Sequence, residues 1–158
     1  MKRGRRLLLT AQCVLNQNSV VHPLARASGA LAEVAGAVVA SGVGLIQLPC
    51  PETTFGGLGR LPATLAEYDT REYRRLCARL TSRVERDLGP QLADGCRVVG
   101  VLGIAGSPSC SPEEPRGVWM RGLLARPWLA GVPVLGVPEG DDPEFLERLK
   151  RMLQGAPG

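Results

Sequence analysis

The chain has few of the residues on which several common kinds of site depend. Its 158 residues include one histidine, two phenylalanines and two tyrosines. So few aromatic rings offer little surface for stacking nucleic-acid bases, and the single imidazole, His22, could at most complete a zinc site built from other ligands. No apolar run is long enough to cross a bilayer. These shortages argue against a membrane partner and against nucleic-acid binding as the main function.

The N-terminus and the cysteines indicate a reducing compartment. The basic segment 2–6 and the leucines after it imitate an export signal, but Thr10 and Gln12 interrupt the apolar run. The number of cysteines is odd, at five. Cytosolic cysteines more often bind metals or do chemistry than form disulfides. The sequence therefore predicts a cytoplasmic protein without disulfides.

The formal charge is +4, from 19 basic and 15 acidic residues. Arginines are concentrated at the N-terminus and along residues 71–86, where Glu72 and Glu85 lie among them. Such interleaving is typical of a solvated helix face with ion pairs. The mildly basic surface is compatible with a nucleotide ligand but does not by itself indicate one.

Apolar runs and helical patterns alternate along the chain. The predicted strands are residues 7–11, 44–48, 98–104 and 132–137, and the predicted helices are 29–40, 69–88, a broken stretch over 118–129, and 143–153. The first helix should be well buried, and 49–62 and 106–115 should be loops. Alternating strands and helices favour right-handed crossovers. The sequence predicts one α/β domain over residues 1–158, with three α/β/α layers and a Rossmann- or flavodoxin-like parallel sheet of about four strands.

The longest helix carries its own boundary signals. Asp69 and Glu72 have the spacing of a capping box, and Gly89 with Pro90 should end or kink the helix. Cys77 falls on its apolar stripe, which predicts a core residue. Cys96 falls at the start of a strand, at the opposite edge of the sheet from the other strand-associated cysteines.

Three cysteines follow the carboxyl ends of three predicted strands: Cys13, Cys50 and Cys110. In open parallel sheets, ligands bind outside those ends, so three soft ligands could meet in one crevice. Unrelated buried thiols are the open alternative. Structural zinc takes four protein ligands, whereas three thiolates on an iron–sulfur cluster would leave one iron open.

Polar residues accompany these cysteines. Glu52 could act as a general acid or base, or it could cap the turn that follows it. Ser107 and Ser109 could donate hydrogen bonds to a substrate, although Ser-Pro-Ser is also an ordinary turn sequence. The loops alone do not decide between these roles.

Three segments resemble the family that contains 2-thiouracil desulfidase, and the chain is similar to a shorter branch of it. They are 11–19 (Ala-Gln-Cys-Val-Leu-Asn-Gln-Asn-Ser), 48–52 (Leu-Pro-Cys-Pro-Glu) and 103–110 (Gly-Ile-Ala-Gly-Ser-Pro-Ser-Cys). The resemblance implies a [4Fe–4S] cluster held by Cys13, Cys50 and Cys110, with Glu52 and either Ser107 or Ser109 assisting catalysis. It also implies a small thiolated substrate such as a thio-nucleobase.

Three functions follow as hypotheses. The first is a cluster-dependent desulfidase that removes sulfur as sulfide. The second is a non-catalytic iron–sulfur or zinc module that senses metal or redox state. The third is a sulfurtransferase acting on tRNA, which would pass sulfur to an acceptor instead of releasing it.

Overall fold

Four short strands form one parallel sheet in the computed structural model, which describes residues 2–155. The ends of the predicted domain, residue 1 and residues 156–158, lie outside the described residues. The strands are β1 (Arg6–Thr10), β2 (Gly44–Gln47), β3 (Arg97–Ile104) and β4 (Val134–Val137). Their order is β2-β1-β3-β4, and all three pairings are parallel. This is the order of flavodoxin-like sheets, with its switch point between β1 and β3.

Helices cover both faces of the sheet. The seven in the described residues are α1 (Gln12–Leu15), α2 (Ala32–Ala40), α3 (Pro51–Gly56), α4 (Leu65–Tyr68), α5 (Arg71–Ala93), α6 (Val118–Leu124) and α7 (Phe145–Gln154). Apolar residues of α5 and α6 pack with Leu7 and Leu9 of β1. Those of α2 and α7 pack with Leu8 on the other face. Because side chains alternate along β1, one strand serves both cores, and the predicted three-layer α/β fold is confirmed.

Several local predictions were wrong in detail. The predicted loop 49–62 contains α3, since Cys50 caps a helix that has Pro51 at a first-turn position. The capping box lies at Thr64 and Glu67, and Thr70 rather than Asp69 caps α5. α2 begins at Ala32, and only two of its side chains, Val34 and Val38, are buried.

The longest helix also continues past the residue that was expected to end or kink it. Pro90 lies inside α5, which extends to Ala93. Proline lacks an amide donor and its ring crowds the preceding turn, but the last turn is still closed by a 3.1 Å bond from the Asp94 amide to the Pro90 carbonyl. The broken stretch after β3 is confirmed as α6 followed by a 3₁₀ turn, Pro127–Leu129. None of the described helices is long and apolar enough to cross a membrane.

Candidate metal centre

A cavity of about 460 Å³ opens at the carboxyl edge of the sheet. Its wall includes Cys13, Cys50, Cys110, Glu52 and Ser107. The three thiols come from the segments after β1, β2 and β3, so the predicted convergence of strand ends brings them together. Four further cavities among the described residues are each lined by at most one cysteine.

Cys13 lies in α1, which starts two residues after β1 ends. The Ala11 amide donates to the Leu102 carbonyl at 2.8 Å and fixes this segment against β3. The buried Gln17 side chain then spans the loop: its Nε2 donates to the Cys13 carbonyl at 2.6 Å, and its Oε1 accepts from the Arg26 amide at 2.8 Å. The Cys13 backbone is therefore held from both sides.

Cys50 is the N-cap of α3. Its amide donates to Gln12 Oε1 at 2.8 Å, which ties it to the residue before Cys13. Its Sγ accepts from the Thr53 amide at 3.4 Å, in the position that a serine or aspartate oxygen usually takes in a cap. The cap therefore fixes the Cys50 side chain at the start of α3.

Cys110 is placed by a tight loop after β3. The Ile104 amide donates to the Cys110 carbonyl at 3.1 Å, and Ser107 Oγ accepts from the Cys110 amide at 3.0 Å. A Cβ at Gly103 would lie 2.2 Å from the Cys110 carbonyl oxygen, and one at Gly117 would lie 2.3 Å from the Ser109 carbonyl carbon. Glycine is required at both positions because backbone passes where a side chain would begin.

Burial and mutual repulsion act together on these thiols. Burial first, and the neighbouring Cys50 second, raise the pKa of Cys13 to about 11. The pKa of Cys110 lies well above its usual range, first because of burial and then because of Cys13 and Cys50. Buried anions that repel one another require a compensating cation. Burial therefore favours the neutral thiols of Cys13 and Cys110 unless a cation lies beside them.

Glu52 lies in the first turn of α3 and is paired with a residue that the sequence patterns did not single out. Arg60 Nε lies 3.3 Å from Glu52 Oε2, and the two side chains are only 7% and 14% exposed. One feature of the sequence could have drawn attention to Arg60: it is the only basic residue in the predicted loop 49–62. Hydrophobic periodicity carries no information about such a pair.

The remaining wall combines apolar surface with two more charges. Its apolar residues are Val20, Val21, Pro23, Leu24, Ala25, Pro62, Ala63, Ile104, Ala105 and Pro108. Arg26 donates to the Pro138 carbonyl and lines the cavity together with Glu139, which follows β4. All four strand ends therefore supply part of this site.

Two of the residues considered from sequence do not reach the cavity wall. Ser109 is fully buried, and its Oγ lies 2.6 Å from the Tyr73 hydroxyl inside the core. His22 is exposed and is absent from the wall. Cys77 is buried in the α5 core, as its apolar stripe predicts.

The fold and the site together define a class of protein: a single-sheet α/β protein with three strand-end cysteines around one cavity. No family model and no solved structure matches the chain. It is 33% identical over 156 residues to the uncharacterized protein MJ0003 of Methanocaldococcus jannaschii, a match that covers 96% of this chain and 99% of the archaeal protein. The chain belongs to the same family as MJ0003.

Proposed function

We propose that this protein is a desulfidase in which Cys13, Cys50 and Cys110 hold a [4Fe–4S] cluster. One observation carries the proposal: three thiols from three separate strand ends share a cavity wall with a carboxylate and a serine. The substrate class that we infer is a thiolated nucleobase. The free state of all five cysteines supports a reducing, cytoplasmic location.

The donor set supports a cluster better than a single ion. Within residues 2–155, no three His, Cys, Asp or Glu side chains already converge on one ion-sized point. Zinc would draw each thiolate to about 2.3 Å and would need a fourth ligand for a structural site. A cluster binds each thiolate to a different iron, so its ligands stand farther apart around a larger cavity. Cys13, Cys50 and Cys110 line one cavity from three separate segments, which suits a group larger than a single ion.

A bound cluster with one iron free of protein ligands would supply a Lewis acid for a thiocarbonyl sulfur. Glu52, in the wall of the same cavity, would accept a proton from water as the water oxygen attacks the thiocarbonyl carbon. The carbon–sulfur bond then breaks, the carbon becomes a carbonyl, and two protons leave with sulfur as hydrogen sulfide. The reaction is a hydrolysis and needs no oxidant or reductant.

Ser107 is better placed than Ser109 to touch a substrate. Its Oγ accepts from two backbone amides, those of Ser109 and Cys110. Since the described residues provide no acceptor for the hydroxyl proton, Ser107 can donate it to a ring heteroatom. Ser109 instead completes a buried hydrogen bond with Tyr73.

The cavity wall fits a small flat heterocycle. Pockets for small molecules combine an apolar wall with a few placed polar groups, and this one has ten apolar residues around Glu52, Ser107 and Arg26. Its volume of about 460 Å³ must also contain the cluster. The space left favours a free base over a bulky polymer.

The test is sulfide release by protein purified and reconstituted without oxygen, with 2-thiouracil and 4-thiouracil as probes. Turnover should yield sulfide and uracil. Sulfur passed to an added tRNA without free sulfide would indicate the sulfurtransferase, and bound metal with no reaction would indicate the sensing module. Either result would overturn the desulfidase proposal.

Glu52→Gln should keep the visible absorbance of the cluster and lower kcat by about 10²–10⁴-fold, the usual contribution of a general acid or base. Glu33→Gln, on the exposed side of α2, is the matched control and should behave as wild type. Retained turnover in Glu52→Gln would exclude Glu52 as the essential base.

A further inference from the structure

Arg60 is buried to an extent that is unusual for an arginine. Only 7% of its side chain is exposed, whereas arginine is rarely buried unless it is paired. It lies past the end of α3 and forms part of the cavity wall. The residues around it must therefore provide hydrogen-bond partners for a guanidinium that lies beside the candidate site.

The guanidinium joins two of the cysteine segments. Nη2 donates to the Ser19 carbonyl at 2.8 Å, in the segment that follows Cys13. Nη1 donates to Thr53 Oγ1 at 3.2 Å and to the Gly57 carbonyl at 2.9 Å, in the segment that follows Cys50. The planar fork of donors suits this role, which a lysine ammonium could not reproduce.

The chain also makes room for this side chain. A Cβ at Gly56 would lie 3.1 Å from the Arg60 Cβ and 3.5 Å from its Cδ. The absence of a side chain at Gly56 lets the aliphatic part of Arg60 lie against the end of α3. Packing and hydrogen bonding therefore fix Arg60 in one place.

We propose that Arg60 is a positioning residue for Glu52, an inference that rests on the proposed desulfidase function. Its Nε bonds Glu52 Oε2, and no hydrogen bond to Oε1 is present among the described residues. One carboxylate oxygen is thus fixed while the other is available to accept a proton from water. Arg60 acts through Glu52, and it sets the direction from which the carboxylate meets the substrate.

The first experiment compares Arg60→Gln and Arg60→Lys with wild type, with Arg75→Gln as an exposed arginine control on α5. All are reconstituted without oxygen and assayed with 2-thiouracil and 4-thiouracil. Both Arg60 variants should keep their iron and sulfide and lose about 10²-fold in kcat, the cost of a misplacement of about 1 Å. KM should change little, because Arg60 does not bind substrate. Unchanged kcat, or a raised KM with unchanged kcat, would overturn the proposal.

A double-mutant cycle separates positioning from general support of the fold. If Arg60 acts through the carboxylate, Arg60→Gln should lower kcat in wild type but not in Glu52→Gln. A further tenfold loss in the Glu52→Gln background would show that Arg60 supports the site in some other way and would overturn the proposal.

A third measurement needs no turnover. In metal-free protein, Arg60→Gln should raise the rate at which iodoacetamide alkylates Cys50 about tenfold. The segment after Cys50 loses the three bonds that Arg60 makes to Glu52, Thr53 and Gly57. Cys96 should react as in wild type. An unchanged Cys50 rate would overturn the anchoring role. Wild-type protein that binds a cluster but releases no sulfide would instead overturn the proposed function and leave this result standing.

Discussion

The two edges of the sheet use the same residue type in different ways. At the carboxyl edge, Cys13, Cys50 and Cys110 meet around a cavity, and burial raises the pKa of Cys13 and of Cys110. At the amino edge, Cys96 stands alone just before β3, and its amide donates to the Gln91 carbonyl at 2.9 Å. Parallel strands bring all their carboxyl ends to one edge. The position of a cysteine relative to its strand therefore matters more than its spacing in sequence.

The charges follow the same division. The amino edge has exposed ion pairs such as those of Arg3 and Arg5 with Asp94, which contribute little to stability in water. The carboxyl edge has the buried pair of Glu52 and Arg60. Breaking a buried pair by removing one partner leaves an uncompensated charge and is costly. The ion pair at the carboxyl edge is therefore buried, whereas these pairs at the amino edge are exposed.

The largest difference between the two edges should appear in the alkylation rates of their cysteines in the reconstituted protein. Bound metal should protect Cys13, Cys50 and Cys110 completely from iodoacetamide, because thiolates that bind iron are not free to attack. Cys96 should react equally with and without metal. Peptide mass spectrometry measures each rate, and equal protection of Cys96 would contradict the division between the edges.

The next effect is on stability and concerns the loop that carries Cys110. Gly117→Ala should lower the free energy of unfolding by about 3 kcal/mol, because overpacking against backbone cannot be relieved by a rotamer change. Gly122→Ala, in α6, has nothing within 4 Å of its new Cβ and should stabilise by about 0.5–1 kcal/mol. Urea unfolding of metal-free protein measures the free energy of unfolding of both variants. Equal values would show that the Cys110 loop does not depend on the close approach of Gly117 to the Ser109 backbone.

The smallest expected effect distinguishes Ser107 from Ser109, the two serines at the carboxyl edge. Tyr73→Phe removes the 2.6 Å bond to Ser109 and should cost about 1 kcal/mol, the usual value for a buried hydrogen bond. It should leave sulfide release intact, because the altered bond lies in the core. Ser107→Ala removes the acceptor of the Ser109 and Cys110 amides, so it should also cost about 1 kcal/mol, but unlike Tyr73→Phe it should lower turnover. Lowered turnover in Tyr73→Phe with turnover kept in Ser107→Ala would assign Ser109 to the site.

The features that depend on the order and direction of the strands could be predicted from the sequence. The apolar runs located β1 to β4, and the carboxyl ends of the first three located Cys13, Cys50 and Cys110. Those predictions depend on hydrophobic periodicity, which local sequence carries directly. The separation of Cys77 and Cys96 from the other three came from the same patterns.

The parts that sequence missed depend on side-chain contacts across the fold. Arg60 acquires its role only because Ser19 and Glu52, from different segments, lie within reach of one guanidinium. Ser107 and Ser109 are equivalent in a turn sequence, and only packing against Tyr73 takes Ser109 into the core. α3 could not be recognised in the sequence, because proline is common both in loops and at the first turn of helices.

The most direct test of the account is the metal content of anaerobically purified and reconstituted protein, with its visible spectrum. We expect iron and acid-labile sulfide in the stoichiometry of one [4Fe–4S] cluster per chain, retained in Cys77→Ser and lost when Cys13, Cys50 and Cys110 are changed together to Ser. Zinc in place of iron, no metal after reconstitution, or a cluster that survives in the triple variant would contradict the account.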